Sequence, residues 1–302
     1  MSFFDKKNSN ATTKLAIIIF LILSIPNIIV ANDTDQTIKV ASFNVNVLGT
    51  TKIGRHNTLE VLADIATRFD ILAMQEVGSN SSKSSYETCE KILKSYVSEV
   101  NNIAGTEMYA FIHGDQYAYI YRTDKIELIS YEIYSGNQDF VYPPLIAEFE
   151  SIDGNLDFTI ITIHTSPSFA AFEIPALYTS VSELIEQYSE EDVVCLGDFN
   201  ADGDYYIEGQ YDSLVLNGFD GYITGIPNSA DTTVASNDYT YDRIQMTSSM
   251  SSDYTNNWGV LIFKDYYDVT ICEGSDTRKG TELALSDHYP VWVELFTDHD
   301  ED

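Results

Sequence analysis

The chain has 302 residues, with 16 Lys and Arg against 47 Asp and Glu, for a formal net charge of −31. Its 44% hydrophobic residues supply a packed core and exclude wholesale disorder. The acidity excludes long-range attraction of nucleic acid by a basic surface, and seven Pro with 16 Gly are too few for a low-complexity chain.

The N-terminus reads as a targeting segment. Lys6, Lys7 and Lys14 precede an apolar run over 15–30, interrupted by Pro26, and Ala31 offers a small residue for cleavage. A membrane span needs roughly 20 apolar residues, so the run fits a signal peptide over 1–31 rather than an anchor. The remainder, 32–302, has no Pro/Gly/Ser-rich linker and no repeat, and is expected to form a single domain with a short acidic tail from Thr297. Sequons at Asn32 and Asn80 would lie on the exported side. Three cysteines cannot all pair. Cys195 reads as a core residue, while sequence leaves a Cys89–Cys272 pairing open.

The elements follow in order. A strand over 38–46 ends in Asn44 and Asn46. Asn57 then reads as an N-cap with Glu60 three residues on, and Leu59, Leu62, Ile65 and Ala66 recur at helical spacing. A short apolar strand over 71–74 ends in Gln75 and Glu76, and a helix spans 85–100. An aromatic-rich segment over 117–122 comes next, strands are expected near 126–134 and 145–150, and another over 157–163 ends in His164. A helix follows with Ile174, Leu177, Tyr178, Val181, Leu184 and Ile185 on one face.

Next comes the run from Val193 to Gly197, whose β-branched, apolar character predicts a buried strand. It delivers Asp198, Asn200 and Asp202 at its tip. Asp202 also suits a cap for a following helix. Strands over 241–246, 258–263 and 290–295 complete the chain, the last preceded by Ser286, Asp287 and His288. Strands interleaved with few helices predict a layered α/β protein. The helix-poor stretch over 117–163 predicts antiparallel pairing, and so a mixed sheet sandwich covered by helices. No Gly-rich dinucleotide loop or P-loop is present.

Polar residues recur at the ends of these apolar strands: Asn44, Glu76, His164, Asp198 with Asn200, Asp242, and Asp287 with His288. Converging strand ends build sites. Carboxylates hold hard cations, and a histidine beside a carboxylate moves protons near neutral pH.

These residues match a family. Ser42-Phe43-Asn44, Gln75-Glu76, His164, Gly197-Asp198-Phe199-Asn200-Ala201-Asp202, Tyr241-Asp242-Arg243 and Ser286-Asp287-His288-Tyr289-Pro290 resemble the endonuclease/exonuclease/phosphatase superfamily. The longer matches, Phe43 to Gly49 followed by Thr51-Lys52, His164-Thr165-Ser166-Pro167-Ser168 and Ser229-Ala230-Asp231-Thr232-Thr233, are similar to its deoxyribonuclease I branch. The resemblance spans about 38–295. It implies an α/β (α+β) four-layer sandwich, with two mixed β-sheets packed face to face and flanked by helices. It also implies secreted, Mg²⁺-dependent hydrolysis of DNA phosphodiesters by His/carboxylate acid–base catalysis, with Ca²⁺ in support.

By the same resemblance Glu76 is the principal metal ligand, helped by Asn44 and Asp287. Asp198 and Asn200 hold a second cation or the scissile phosphate. His164 and His288 form the acid/base pair, with Asp242 orienting His288 and Asp115 orienting His164. Asp231 and Thr233 mark a structural calcium loop. The implied partner is DNA, met by a secreted monomer with no stable membrane association.

Four departures from the family stand out: Asp115 replaces the glutamate beside His164, Asn46 and Gly78 replace arginines that contact DNA in the family, and Gly203 replaces a cysteine. A secreted phosphodiesterase of the same fold acting on a phospholipid such as sphingomyelin is the alternative reading. A non-catalytic binding module would have no need of paired acid/base groups.

Overall fold

The computed structural model describes residues 36–78, 86–188, 191–206 and 222–300. The expected signal peptide over 1–31 and both sequons lie outside the described residues. In chain order the elements are β1 (Thr37–Leu48), α1 (Thr50–Ile53), α2 (His56–Ala66), β2 (Ile71–Val77), α3 (Tyr86–Ala104), β3 (Tyr109–Gly114), β4 (Tyr117–Arg122), β5 (Ile126–Ile133), β6 (Leu145–Ser151) and β7 (Asp157–His164). They continue with α4 (Ala170–Tyr188), β8 (Val193–Asp198), β9 (Tyr222–Thr224), β10 (Asp242–Thr247), β11 (Tyr254–Val260), α5 (Phe263–Tyr266) and β12 (Val291–Phe296).

The strands form two six-stranded sheets, ordered β11-β12-β1-β2-β4-β3 and β5-β6-β7-β8-β10-β9. Each sheet is antiparallel except for one central pair, β1 with β2 in the first and β7 with β8 in the second. A parallel neighbour needs a crossover, and the sequence supplies one in each case: α1 and α2 between β1 and β2, α4 between β7 and β8.

Alternation along the strands sorts side chains into three apolar layers. Val40, Ile71 and Ala73 face inward and pack in one cluster with Phe149, Ile160, Val194 and Leu196 of the other sheet. Ala41, Phe43, Leu72 and Met74 point outward beneath Leu62 and Ile65 of α2 and Ile92 and Tyr96 of α3. On the opposite face Ile161, Ile163 and Cys195 pack under Ile174, Leu177 and Val181 of α4. Both sheets are therefore covered on both faces, which is why their strands read as near-continuous apolar runs. This is the four-layer sandwich with two mixed sheets expected above.

A few polar groups join the sheets inside the core. Gln75 Nε2 donates to Thr162 Oγ1 at 2.9 Å across the sandwich and to Ser42 Oγ at 3.1 Å within its own sheet. Tyr119 OH donates to the carbonyls of Leu145 and Ile160 at 2.8 and 3.0 Å. Losing such a partner would strand a buried polar group at a cost of about 1–3 kcal/mol.

Several local expectations change. Asn57 is not a cap: α2 opens one residue earlier, and Asn57 Nδ2 instead donates to Ile271 O at 3.0 Å. The strand expected over 258–263 is β11, which ends at Val260, and Phe263 opens α5. Strands β3 and β9 were not expected at all. Asp202 ties two loops, accepting from Thr240 N at 2.8 Å. Cys89, Cys195 and Cys272 are buried, and no disulfide joins any two of them. Among the described residues no helix is long and apolar enough to cross a membrane.

Candidate active site

The tips of β1, β2, β7, β8 and β10 converge with the turn before β12 at one end of the sandwich. At the tip of β1, Asn44 is 1% exposed, and its Nδ2 donates to Glu76 Oε1 at 3.1 Å and to Asp198 Oδ2 at 3.0 Å. One carboxamide thus links β1, β2 and β8, and brings a carboxylate from each sheet together. Register places the other groups. His164 pairs with Asp198 across β7 and β8, and Asp198 pairs with Asp242 across β8 and β10. The approach of β7 to β8 requires glycine at 197: a Cβ there would sit 1.8 Å from Ile163 O, and its φ is +147°.

Both histidines aim at one oxygen. His164 Nε2 lies 3.6 Å from Asp198 Oδ2, and His288 Nε2 lies 3.5 Å from the same atom. His288 Nδ1 faces Asp242 Oδ2 at 2.8 Å. His164 Nδ1 faces Gln116 Oε1 at 3.1 Å. Gln116 therefore stands behind His164. Asp115 occupies the tight turn between β3 and β4 with φ +49°, and the next residue projects toward the ring. Tyr142 lies nearly parallel to the His164 ring, with centroids 6.0 Å apart.

Charge follows from this packing. Burial opposes a proton on His288, but Asp242, Asp198 and Asp287 outweigh it and lift its pKa to about 10. Burial pushes Asp242 upward as well, with the charge and hydrogen bond of His288 opposing.

Asp287 is half-buried, and its carbonyl accepts from Val234 N at 2.8 Å. Asn200 stands at φ +47°, with its backbone N–H on Asp198 Oδ1 at 3.0 Å and its Nδ2 on Thr165 O at 2.9 Å. Asp231 Oδ1 accepts from Thr233 N at 3.1 Å, and Thr233 bridges to His288, so this loop packs against the site.

Five residues with left-handed φ sit on or beside these tips: Asn46, Val47, Glu76, Asp115 and Asn200. Such conformations cost of order 1–3 kcal/mol each and persist where the surroundings fix them.

Three contributors escaped sequence reading. Gln116 is one. Lys52 is another: 7% exposed, it donates its three protons to Val45 O, Asn46 O and Leu285 O at 2.5, 2.7 and 2.8 Å. It ties the tip of β1 to the turn carrying Asp287 and His288. Burial pulls its pKa down to about 7, against the attraction of Asp287 and Glu76. The third is Glu173 of α4, which accepts from Ser166 N at 2.6 Å and Val141 N at 2.7 Å and so fixes the loop after His164. Lysine in a quoted motif was the one available signal; the others are ordinary polar residues in helices and turns.

A model of the Endonuclease/Exonuclease/phosphatase family matches residues 41–288. The chain belongs to this family. It is 31% identical over 273 residues to Deoxyribonuclease-1-like 1 of Rattus norvegicus, covering 89% of this chain and 83% of the relative. It is 30% identical over 275 residues to Deoxyribonuclease-1 of Gallus gallus, covering 86% and 92%. An endonuclease/exonuclease/phosphatase family protein of Bacteroides thetaiotaomicron shares the fold, with TM-score 0.57 and 18% identity over 87% of this chain and 99% of that one. Family membership makes the chain a deoxyribonuclease I-like hydrolase of phosphodiesters that depends on a divalent cation. The donors here are hard oxygens throughout, from Glu76, Asp198, Asp287 and Asn44, which fits such an ion.

Proposed function

We propose that this protein is a secreted endonuclease that hydrolyses DNA phosphodiesters with Mg²⁺, supported by Ca²⁺. In this reading a monomeric domain over 32–302 is released from a signal peptide over 1–31. The observation that carries the proposal is the aim of both imidazole Nε2 atoms at Asp198 Oδ2, beside the Glu76–Asn44–Asp198 cluster. Relatives named Deoxyribonuclease-1 favour DNA over other phosphodiesters.

Glu76, with Asn44, Asp287 and Asp198, would hold Mg²⁺. When bound, a divalent cation neutralises charge growing on the phosphoryl oxygens and lowers the pKa of a bound water. Asp198, Asp242 and His288 also bring ligand atoms within 4.8 Å of one another. Asp242 Oδ2 and His288 Nδ1 face each other at 2.8 Å, and we assign this group to proton transfer. Asp242 holds the Nδ1 proton of His288 and keeps Nε2 facing the reacting centre. Gln116 does the same for His164. One ring takes the proton of the attacking water and the other protonates the leaving oxygen, each worth about 10²–10⁴-fold. Asn200 spends one amide proton on Thr165 O and offers the second to a phosphoryl oxygen. Asp231 and Thr233 would shape the calcium loop behind His288.

Plasmid nicking beside sphingomyelin turnover tests this, using purified protein with and without Mg²⁺ and with His164→Ala as control. Nicking that needs both Mg²⁺ and His164 supports the proposal. Turnover of sphingomyelin alone, or nicking that survives His164→Ala, sinks it.

A further inference from the structure

Cations are scarce in this chain, and five of the twelve described ones pair with a carboxylate. Arg68, Lys94, Arg122, Lys125 and Lys279 each lie within 3.4 Å of a carboxylate oxygen. Arg55 and Arg278 have no such partner among the described residues. Arg278 Nη1 donates to Asn46 Oδ1 at 2.9 Å, a neutral acceptor. Both arginines line a cavity of about 410 Å³ together with Lys52, Thr51, Gly78 and Ser275, and no described carboxylate lines it. Both lie close enough to Lys52 to disfavour its charge. Two guanidinium groups thus gather beside Lys52 in one hollow of a chain at −31, where carboxylates to neutralise them are abundant elsewhere. Such a gathering is stabilised by an anion from outside.

The hollow adjoins the strand tips already described. Asn46 lies two residues beyond Asn44, and its N–H donates to Asn44 Oδ1 at 3.0 Å. Gly78 lies two residues beyond Glu76. Arg278 comes from far along the chain, on a loop closed by Gly280 N donating to Cys272 O at 2.8 Å, with Gly280 at φ +68°. It places a guanidinium against Asn46 at the tip of β1.

We infer that Arg278 and Arg55 form an anion subsite for a backbone phosphate of the bound nucleic-acid strand, next to the phosphodiester that is cleaved. Half-buried guanidinium groups suit phosphate oxygens because their donors fork to match them. This inference rests on the nuclease reading, and the test separates the two.

Cleavage of duplex DNA and of bis(p-nitrophenyl) phosphate, which has no flanking phosphate, is measured across a salt series at fixed Mg²⁺. Wild type is compared with Arg55→Ala, Arg278→Ala, the double variant and Arg278→Lys, with melting temperatures to verify folding. Each alanine should raise KM for DNA several-fold, leave kcat for DNA largely in place, and lower the ratio of kcat/KM on DNA to that on the small diester. Each should also flatten the dependence of log kcat/KM on log salt by about 0.9. Arg278→Lys should keep the wild-type slope. An unchanged slope and KM in the double variant, while wild type cuts DNA, overturns the subsite. Wild type that turns over the small diester but not DNA overturns the nuclease reading instead.

Discussion

His288 and His164 reach the same carboxylate oxygen at nearly equal distances, yet each is backed differently. His288 precedes β12 of the first sheet and is backed by Asp242 of the second. His164 ends β7 of the second sheet and is backed by Gln116, from the turn before β4 of the first. Each ring is carried by one sheet and oriented by the other, so the site is assembled only when the sandwich closes. The backing also differs in charge: a buried carboxylate on one side, a neutral carboxamide on the other. The difference predicts unequal dependence on the two supports.

The largest effect should come from removing what both arms share. Chelation with EDTA should abolish DNA nicking, and Mg²⁺ should restore it; residual nicking at comparable rate in EDTA would break the account. Next, His288→Ala and His164→Ala should each lower kcat by about 10²–10⁴-fold. A substrate with a 3′-bridging sulfur leaves without needing a proton, so it should spare the variant lacking the acid and thereby say which ring is which.

The supports come third. Asp242→Asn should cost kcat more than tenfold, because the amide can impose the wrong imidazole tautomer and removes the charge. Gln116→Ala should cost roughly five- to tenfold, the worth of one neutral hydrogen bond of about 1 kcal/mol. Equal losses in steady-state assays would erase the proposed asymmetry, and Gln116→Glu, which gives both arms a carboxylate, should narrow it.

The smallest effect is on stability. In cation-free protein His288 should keep its proton up to about pH 10, visible as a late histidine midpoint by NMR. A folded pKa above the unfolded value near 6.5 stabilises fully below pH 6.5 and loses that contribution as pH rises through 10. Lys52, pulled down to about 7, acts in the opposite sense. The melting-temperature gap between wild type and His288→Ala isolates the first term, and it should shrink with rising pH.

Much of this was legible in sequence, because the strands are covered on both faces and end abruptly in polar residues. The run from Val193 to Asp198 announces both its burial and its tip. Elsewhere local signals misled. β9 has three residues, too few for a pattern, and β3 mixes aromatic with small residues. Asp115 and Gln116 share a turn, and which side chain meets His164 depends on a left-handed φ that residue identity leaves open. Asn57 has a cap's chemistry, but contact with the Ile271 carbonyl claims it.

The left-handed backbone at Val47 has one more consequence. At φ +63° a β-branched residue is held where glycine would sit relaxed, directly between Asn44 and Lys52. Exchanging it for glycine would give a chain that withstands heat better and cuts more slowly, since the slack gained there would be slack in the grip on Asn44. Thermal hardening of this enzyme should therefore begin far from that corner, in the helices that roof the two sheets.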